Sequence, residues 1–201
     1  EICLRLSREG YKVIIHYRNS LKEAEETANM ILSEGGNAIV LQADLSDVSS
    51  AKVLISKSVE KFGYVNAIVN NASVFIHDDI STFTSDSWDM HMQANAKVPL
   101  MLIKEMYESL DSGKVGNVVN ILDQKLYNPN PDYLSYTASK YTLMGLTDTL
   151  ARSLAPKIRV NAVSPGHTLA SDLQTDEGFQ RAQNSSPLGY GPCAEDIADA
   201  V

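Results

Sequence analysis
Short β-branched runs alternate with helical patterns from one end of the chain to the other, and this alternation restricts the fold more than any other feature. Val13–Tyr17, Ala38–Ala43, Ala67–Asn70, Val118–Leu122 and Arg159–Val163 are short apolar runs bounded by glycine or polar residues. Such runs suit parallel strands buried on both faces. Between them lie helical patterns at Leu21–Leu32, Val48–Phe62, 86–95, 96–110 and Tyr133–Ala155. Ile2, Leu4 and Leu6, ending at Gly10, read as the last turns of a helix, and Pro192 and Glu195 open another. Segment 167–192 is polar and punctuated by glycine and proline, which predicts a lid with short helices that orders on ligand binding.

Strands joined by helical crossovers predict an α/β protein with a doubly wound parallel sheet, Rossmann-like and three-layered, as one domain over 1–201. A dinucleotide-binding sheet of this kind normally opens with a strand and a glycine-rich turn that cradles pyrophosphate. The sequence starts inside the pattern of a first helix, so the expectation is a domain trimmed at both ends.

Composition excludes several classes. With 201 residues and a net charge of −8, the chain is long enough for a core and too acidic for unaided binding to nucleic acid. Cys3 and Cys193 have neither metal nor disulfide spacing, so no metal is expected and a reducing, cytoplasmic setting is. No apolar run approaches the length of a membrane span.

Chemistry concentrates between Asn117 and Gly145. Tyr136 and Lys140 are four apart and share a helical face. An ammonium beside a phenol favours the phenolate and tunes the tyrosine as a proton donor. Asp123 follows the strand Val118–Leu122, at the strand end where open α/β sheets place ligands.

Five motifs now stand in order: Asn70-Asn71-Ala72, Asn95, Asp123, Tyr136-x-x-x-Lys140 and Pro165-Gly166. Together they resemble the short-chain dehydrogenase/reductase family over essentially the whole chain. The resemblance makes Tyr136 the catalytic acid and Lys140 the group that lowers its pKa and holds the nicotinamide ribose. It makes Asn95 the residue holding a water in the proton relay. Asn71, Ala72 and Ser73 would lie along the cofactor, Asp44 with Leu45 would meet the adenine, and Pro165, Gly166 and Thr168 the carboxamide. Plainer readings exist: Asn95 as a packing amide, Asp44 as a helix N-cap, Asn71 as turn chemistry.

Most of the family carries serine thirteen residues before the tyrosine, where this chain has Asp123. A carboxyl group suits a nitrogen-rich ring, accepting from its N–H groups or protonating a ring nitrogen. The set Asp123, Tyr136 and Lys140 resembles the pteridine reductases and related dihydromonapterin and dihydrofolate reductases. There a phenylalanine at the place of Phe75 stacks the pterin on the nicotinamide. The plainer readings are a disabled alcohol dehydrogenase for Asp123 and ordinary loop packing for Phe75.

Tyr17, Arg18, Asn19 and Ser20 follow the strand Val13–Tyr17 without the acid that an NAD site places there. Arg18 can pair with a 2′-phosphate, with Asn19 and Ser20 as donors, which favours NADPH. Ser20 also suits the N-cap of the next helix. The alternatives are a solvated Arg18, a carbonyl reductase acting on a 3-oxoacyl, sugar or steroid-like ketone, and a non-catalytic NADP-binding module. By family analogy the assembly is a homotetramer pairing the helices over 96–110 and 133–155, and the only other partner is a small-molecule substrate.

Overall fold
The computed structural model describes residues 1–45, 47, 49–170 and 174–201. The elements run α1 (Ile2–Arg8), β1 (Lys12–Tyr17), α2 (Leu21–Ser33), β2 (Asn37–Gln42), α3 (Ser49–Phe62), β3 (Ala67–Asn70) and α4 (Ser85–Met92). A π-helical turn (Gln93–Lys97) leads directly into α5 (Val98–Ser109). Then come β4 (Gly116–Ile121), a short 3₁₀ turn (Gln124–Leu126), α6 (Leu134–Ser153), β5 (Ile158–Val163), α7 (Asp176–Asn184) and α8 (Ala194–Ala200). The architecture is α/β and Rossmann-like, as expected. Val48, read as the start of the second helix, lies outside the described residues.

Every strand pairing is parallel. β1 pairs with β2, and β4 lies between β3 and β5. Among the described residues, no ladder joins β1 to β3, so the expected single sheet stands as two sheets. In a doubly wound sheet the place between them belongs to a leading strand.

Two groups of helices flank the strands. α1 packs on α2 and α8, while α3 packs on α5 and α4 on α6. Leu4, Val13, Ile15, Ala28 and Ile31 form the core beneath the first group. Ile103, Met106, Val118, Ile158 and Val160 form one beneath the second. Gly116 lets α5 sit close on β4, since a Cβ there would run into the Met106 methyl.

A polar chain pins the centre of the second sheet. Asn70 Nδ2 donates to Asn120 Oδ1 at 2.8 Å, and Asn120 Nδ2 donates to Thr147 Oγ1 at 2.9 Å. All three residues are buried, and buried amides hold their register because an unmade bond there is costly. No described helix is long and apolar enough to cross a membrane.

Candidate active site
The buried face of α6 is polar along its first half. Ser135, Tyr136, Ser139 and Lys140 are all buried, at the i, i+4 spacing that aligns them on one side. Tyr136 donates its hydroxyl to Asp123 Oδ2 at 2.7 Å. Asp123, extended at the end of β4, caps the 3₁₀ turn by accepting from Lys125 N at 2.8 Å through Oδ1. Lys140 Nζ donates to Ile121 O at 2.8 Å and sits 5.7 Å from the Tyr136 ring centre. The three groups singled out in the sequence therefore converge.

Their electrostatics differ from expectation. The Tyr136 phenol is held well above its usual range, first by burial, then by the Asp123 charge and the hydrogen bond to it. The anticipated lowering by Lys140 is absent in this state because the nearer charge is a carboxylate. Lys140 itself is pushed down to about 8 by burial, against the opposing pull of Asp123.

Asn95 sits in the π-helical turn and is 1% exposed. Its Oδ1 accepts from Val74 N at 2.7 Å and Ser73 Oγ at 3.1 Å. Its Nδ2 donates to Val74 O and Ser139 Oγ, both at 2.9 Å. An amide offers two donors and two lone pairs, so this side chain is saturated. It clamps the 73–74 segment, and a relay water cannot rest on it here. π turns of this sort recur at functional sites.

Phe75 is 46% exposed and stacks on Tyr133, with ring centres 4.2 Å apart and planes within 5°. It also meets the Tyr136 ring edge-on at 4.7 Å. In this state its partner is thus Tyr133. Tyr133 adopts left-handed backbone, φ 54°, immediately before α6.

The expected cofactor residues all follow carboxyl ends of parallel strands. Tyr17 packs on the core under β1, while Arg18, Asn19 and Ser20 are exposed. Arg18 Nε meets Asp44 Oδ1 at 3.2 Å, so two expected cofactor contacts pair with each other. Ser20 occupies the N-cap position of α2 but makes no side-chain cap hydrogen bond. Asp47, not Asp44, receives the hydrogen bond from Ser49 N at the start of α3. Leu45 packs partly into the core around α3. Asn71 and Ala72 are exposed beyond β3, and Asn71 N donates to Val69 O, so turn chemistry is present there. Pro165 and Gly166 are half-buried, Pro165 O accepts from Gln124 N at 2.9 Å, and Thr168 Oγ1 donates to Gly166 O. An exposed cation, exposed amides after β3 and a buried ammonium fit the two ends of a phosphorylated dinucleotide.

Sequence reasoning missed Asp78, His91 and Tyr133. Ser87, His91 and Asn95 recur every four residues, a signal that a buried stripe was present. Nothing local marked Asp78.

The family model for short chain dehydrogenase matches residues 1–181. A 3-oxoacyl-[acyl-carrier-protein] reductase from Staphylococcus aureus is 30% identical over 203 aligned residues, covering 100% of this chain and 82% of the relative. The structure of FolM alternative dihydrofolate reductase 1 from Brucella suis in complex with NADP superposes with TM-score 0.95 at 39% identity, covering 99% of this chain and 80% of that one. A short chain dehydrogenase from Burkholderia cenocepacia in complex with NADP gives TM-score 0.90 at 30% identity, covering 99% and 82%. Matched from its first residue through the tyrosine, the lysine and the strand after them, the chain belongs to the short-chain dehydrogenase family.

Proposed function
We propose that the protein is an NADPH-dependent reductase of a flat, nitrogen-rich ring of the pterin class. The observation that carries this reading is the 2.7 Å hydrogen bond from Tyr136 to Asp123. A carboxylate at that position accepts from ring N–H and amino groups, as a serine hydroxyl does much less well. The 39% identical FolM dihydrofolate reductase structure, itself complexed with NADP, supports both substrate class and cofactor.

Arg18, Asn19 and Ser20 would hold the 2′-phosphate and Asp44 the adenine. Asn71, Ala72, Ser73, Pro165, Gly166 and Thr168 would line the remainder, and Lys140 the nicotinamide ribose. Bound NADPH supplies the hydride. The chain's own work is to manage one proton. With a ring nitrogen hydrogen-bonded to Asp123, the Tyr136 proton passes to Asp123 and from there to that nitrogen. The phenolate left behind lies on the same helical face as the Lys140 ammonium, which stays charged at neutral pH with a pKa of about 8. Phe75 offers an exposed aromatic face for the ring.

The 30% identity to a 3-oxoacyl reductase favours a second reading, reduction of a ketone. There Tyr136 would donate directly to the carbonyl oxygen, and Asp123 would compete for that hydrogen. Stopped-flow oxidation of NADPH with a dihydropterin, and separately with a 3-oxoacyl thioester, distinguishes the two. Turnover of the dihydropterin that disappears in Asp123→Ser is the expected result. Ketone turnover that survives Asp123→Ser, with none for the dihydropterin, rejects the pterin reading.

A further inference from the structure
Asp78 has no part in the chemistry described so far, yet it is 2% exposed and fully engaged. Its Oδ1 accepts from Ser135 N at 3.0 Å and its Oδ2 from Ser87 Oγ at 3.1 Å. Its carbonyl oxygen accepts from Leu134 N at 3.1 Å. Leu134 and Ser135 open α6, whose own N-cap residue, Tyr133, supplies no side-chain cap. A carboxylate from 57 residues away caps the helix instead, with a charge that suits a helix N-terminus. Hydrogen bonds from Ser135 and Ser87, aided by His91, outweigh burial and hold this carboxyl below the usual range.

Asp78 is also the last rung of a ladder. Val74, Ile76 and Asp78 alternate along the loop, and each grips a residue of one helix face. Val74 N and O bind the Asn95 amide, Ile76 N donates to His91 Nε2 at 3.2 Å, and Asp78 binds Ser87. Because Nε2 accepts, the hydrogen of His91 is on Nδ1, donated to Ser87 O at 2.7 Å. His91 is 0% exposed. Phe75 and His77, the alternating residues, both meet Tyr133 instead. An extended segment gripped at every second residue has one register, since a one-residue slip would exchange its two sides.

We propose that Asp78, backed by His91, is a positioning residue that locks the loop bearing Phe75 to the first turn of the helix bearing Tyr136. The lock sets the ring platform and the proton donor in one frame. This rests on Tyr136 as the proton donor of the site, and not on the identity of the ring reduced.

Two substitutions in the full chain separate the ladder from a mere need for fold. Asp78→Ala removes both side-chain bonds. Asp78→Asn keeps an acceptor for Ser135 N and gains a donor for Ser87 Oγ. The expected result with a dihydropterin is a fall in kcat of about thirtyfold or more for Asp78→Ala, since misplacement by about an ångström is that damaging. The NADPH dissociation constant should stay within about twofold, and Asp78→Asn should recover kcat to within about threefold of wild type. Ser87→Ala, removing a single rung, should show the same direction at smaller size if Asp78→Ala does not fold. Amide hydrogen exchange gives a readout that needs no substrate: Ile76 and Ser135 should exchange much faster in Asp78→Ala while the amides of β4 stay protected. Failure of Asp78→Asn to rescue, an unchanged kcat in Asp78→Ala, or exchange that rises equally throughout the chain would overturn the proposal. A wild type inactive on dihydropterins would reject the substrate reading alone, leaving exchange to decide on the lock.

Discussion

Around Arg18 and Asp44 the side chains are more than half exposed and meet in a 3.2 Å surface ion pair. Around Tyr136, Lys140 and Asn95 they are buried, and Asn95 has every polar valence of its side chain satisfied. One end of the site is therefore held open for a charged guest, and the other is set before anything binds. An exposed pair contributes at most about 1 kcal/mol, so an arriving phosphate can take Arg18 from Asp44 easily. Rearranging the buried end would break several bonds at once. Recognition is placed where exchange is easy, and proton transfer where geometry must persist.

The largest test of this contrast is Tyr136→Phe. Loss of a positioned proton donor should lower turnover about a thousandfold, while unfolding free energy changes by no more than about 1 kcal/mol for one hydrogen bond. Steady-state kinetics and denaturant titration check both. A fold that collapses would show that the phenol is chiefly structural.

Lys140→Met comes next, and its effects on activity and stability should run in opposite directions. Turnover should fall about a hundredfold. Burial pushes the lysine down to about 8, so below that pH the folded protein carries a charge it holds less well than the unfolded chain does. Against an unfolded value of about 10.4, the difference corresponds to roughly 3 kcal/mol. That cost fades as pH rises from about 8 toward about 10.4, because the unfolded chain then releases its proton too. Lys140→Met should therefore be more stable than wild type at pH 7, and the gap should shrink by pH 10. A variant less stable at pH 7 would mean that the bond to Ile121 O outweighs the burial cost.

The smallest effect belongs to the open end. Arg18→Glu should move cofactor preference from NADPH toward NADH by about tenfold, the loss of one charge-assisted contact, and leave the melting temperature unchanged. An unaltered ratio of kcat/KM for the two cofactors would place the 2′-phosphate elsewhere.

Much of this contrast could be read before any coordinates. Strand limits agree within two residues, because two-sided β-branched runs have few other uses. The thirteen-residue interval from Asp123 to Tyr136 closes into a hydrogen bond, since strand end and helix start are joined by a loop of fixed job. What escaped was long-range or locally improbable. The bond from Asp78 to Ser135 leaves no pattern in either neighbourhood. Tyr133 was read as the first helical residue, because a bulky ring seldom takes left-handed backbone. The sign of the Tyr136 shift also escaped, since spacing places Lys140 nearby without saying that Asp123 is nearer.

The π-helical turn bears on how this chain can change length. From Gln93 to Lys97 the backbone closes five residues per bond, with Val98 N donating to Gln93 O. Deleting one residue there would restore an ordinary α-helical path and rotate everything downstream by about 100°. Val98, Leu102 and Met106 would leave the core side of α5, and Asn95 would lose its line with His91 and Ser87. Point substitutions can be absorbed in this helix singly, whereas the length of that turn is not free to drift.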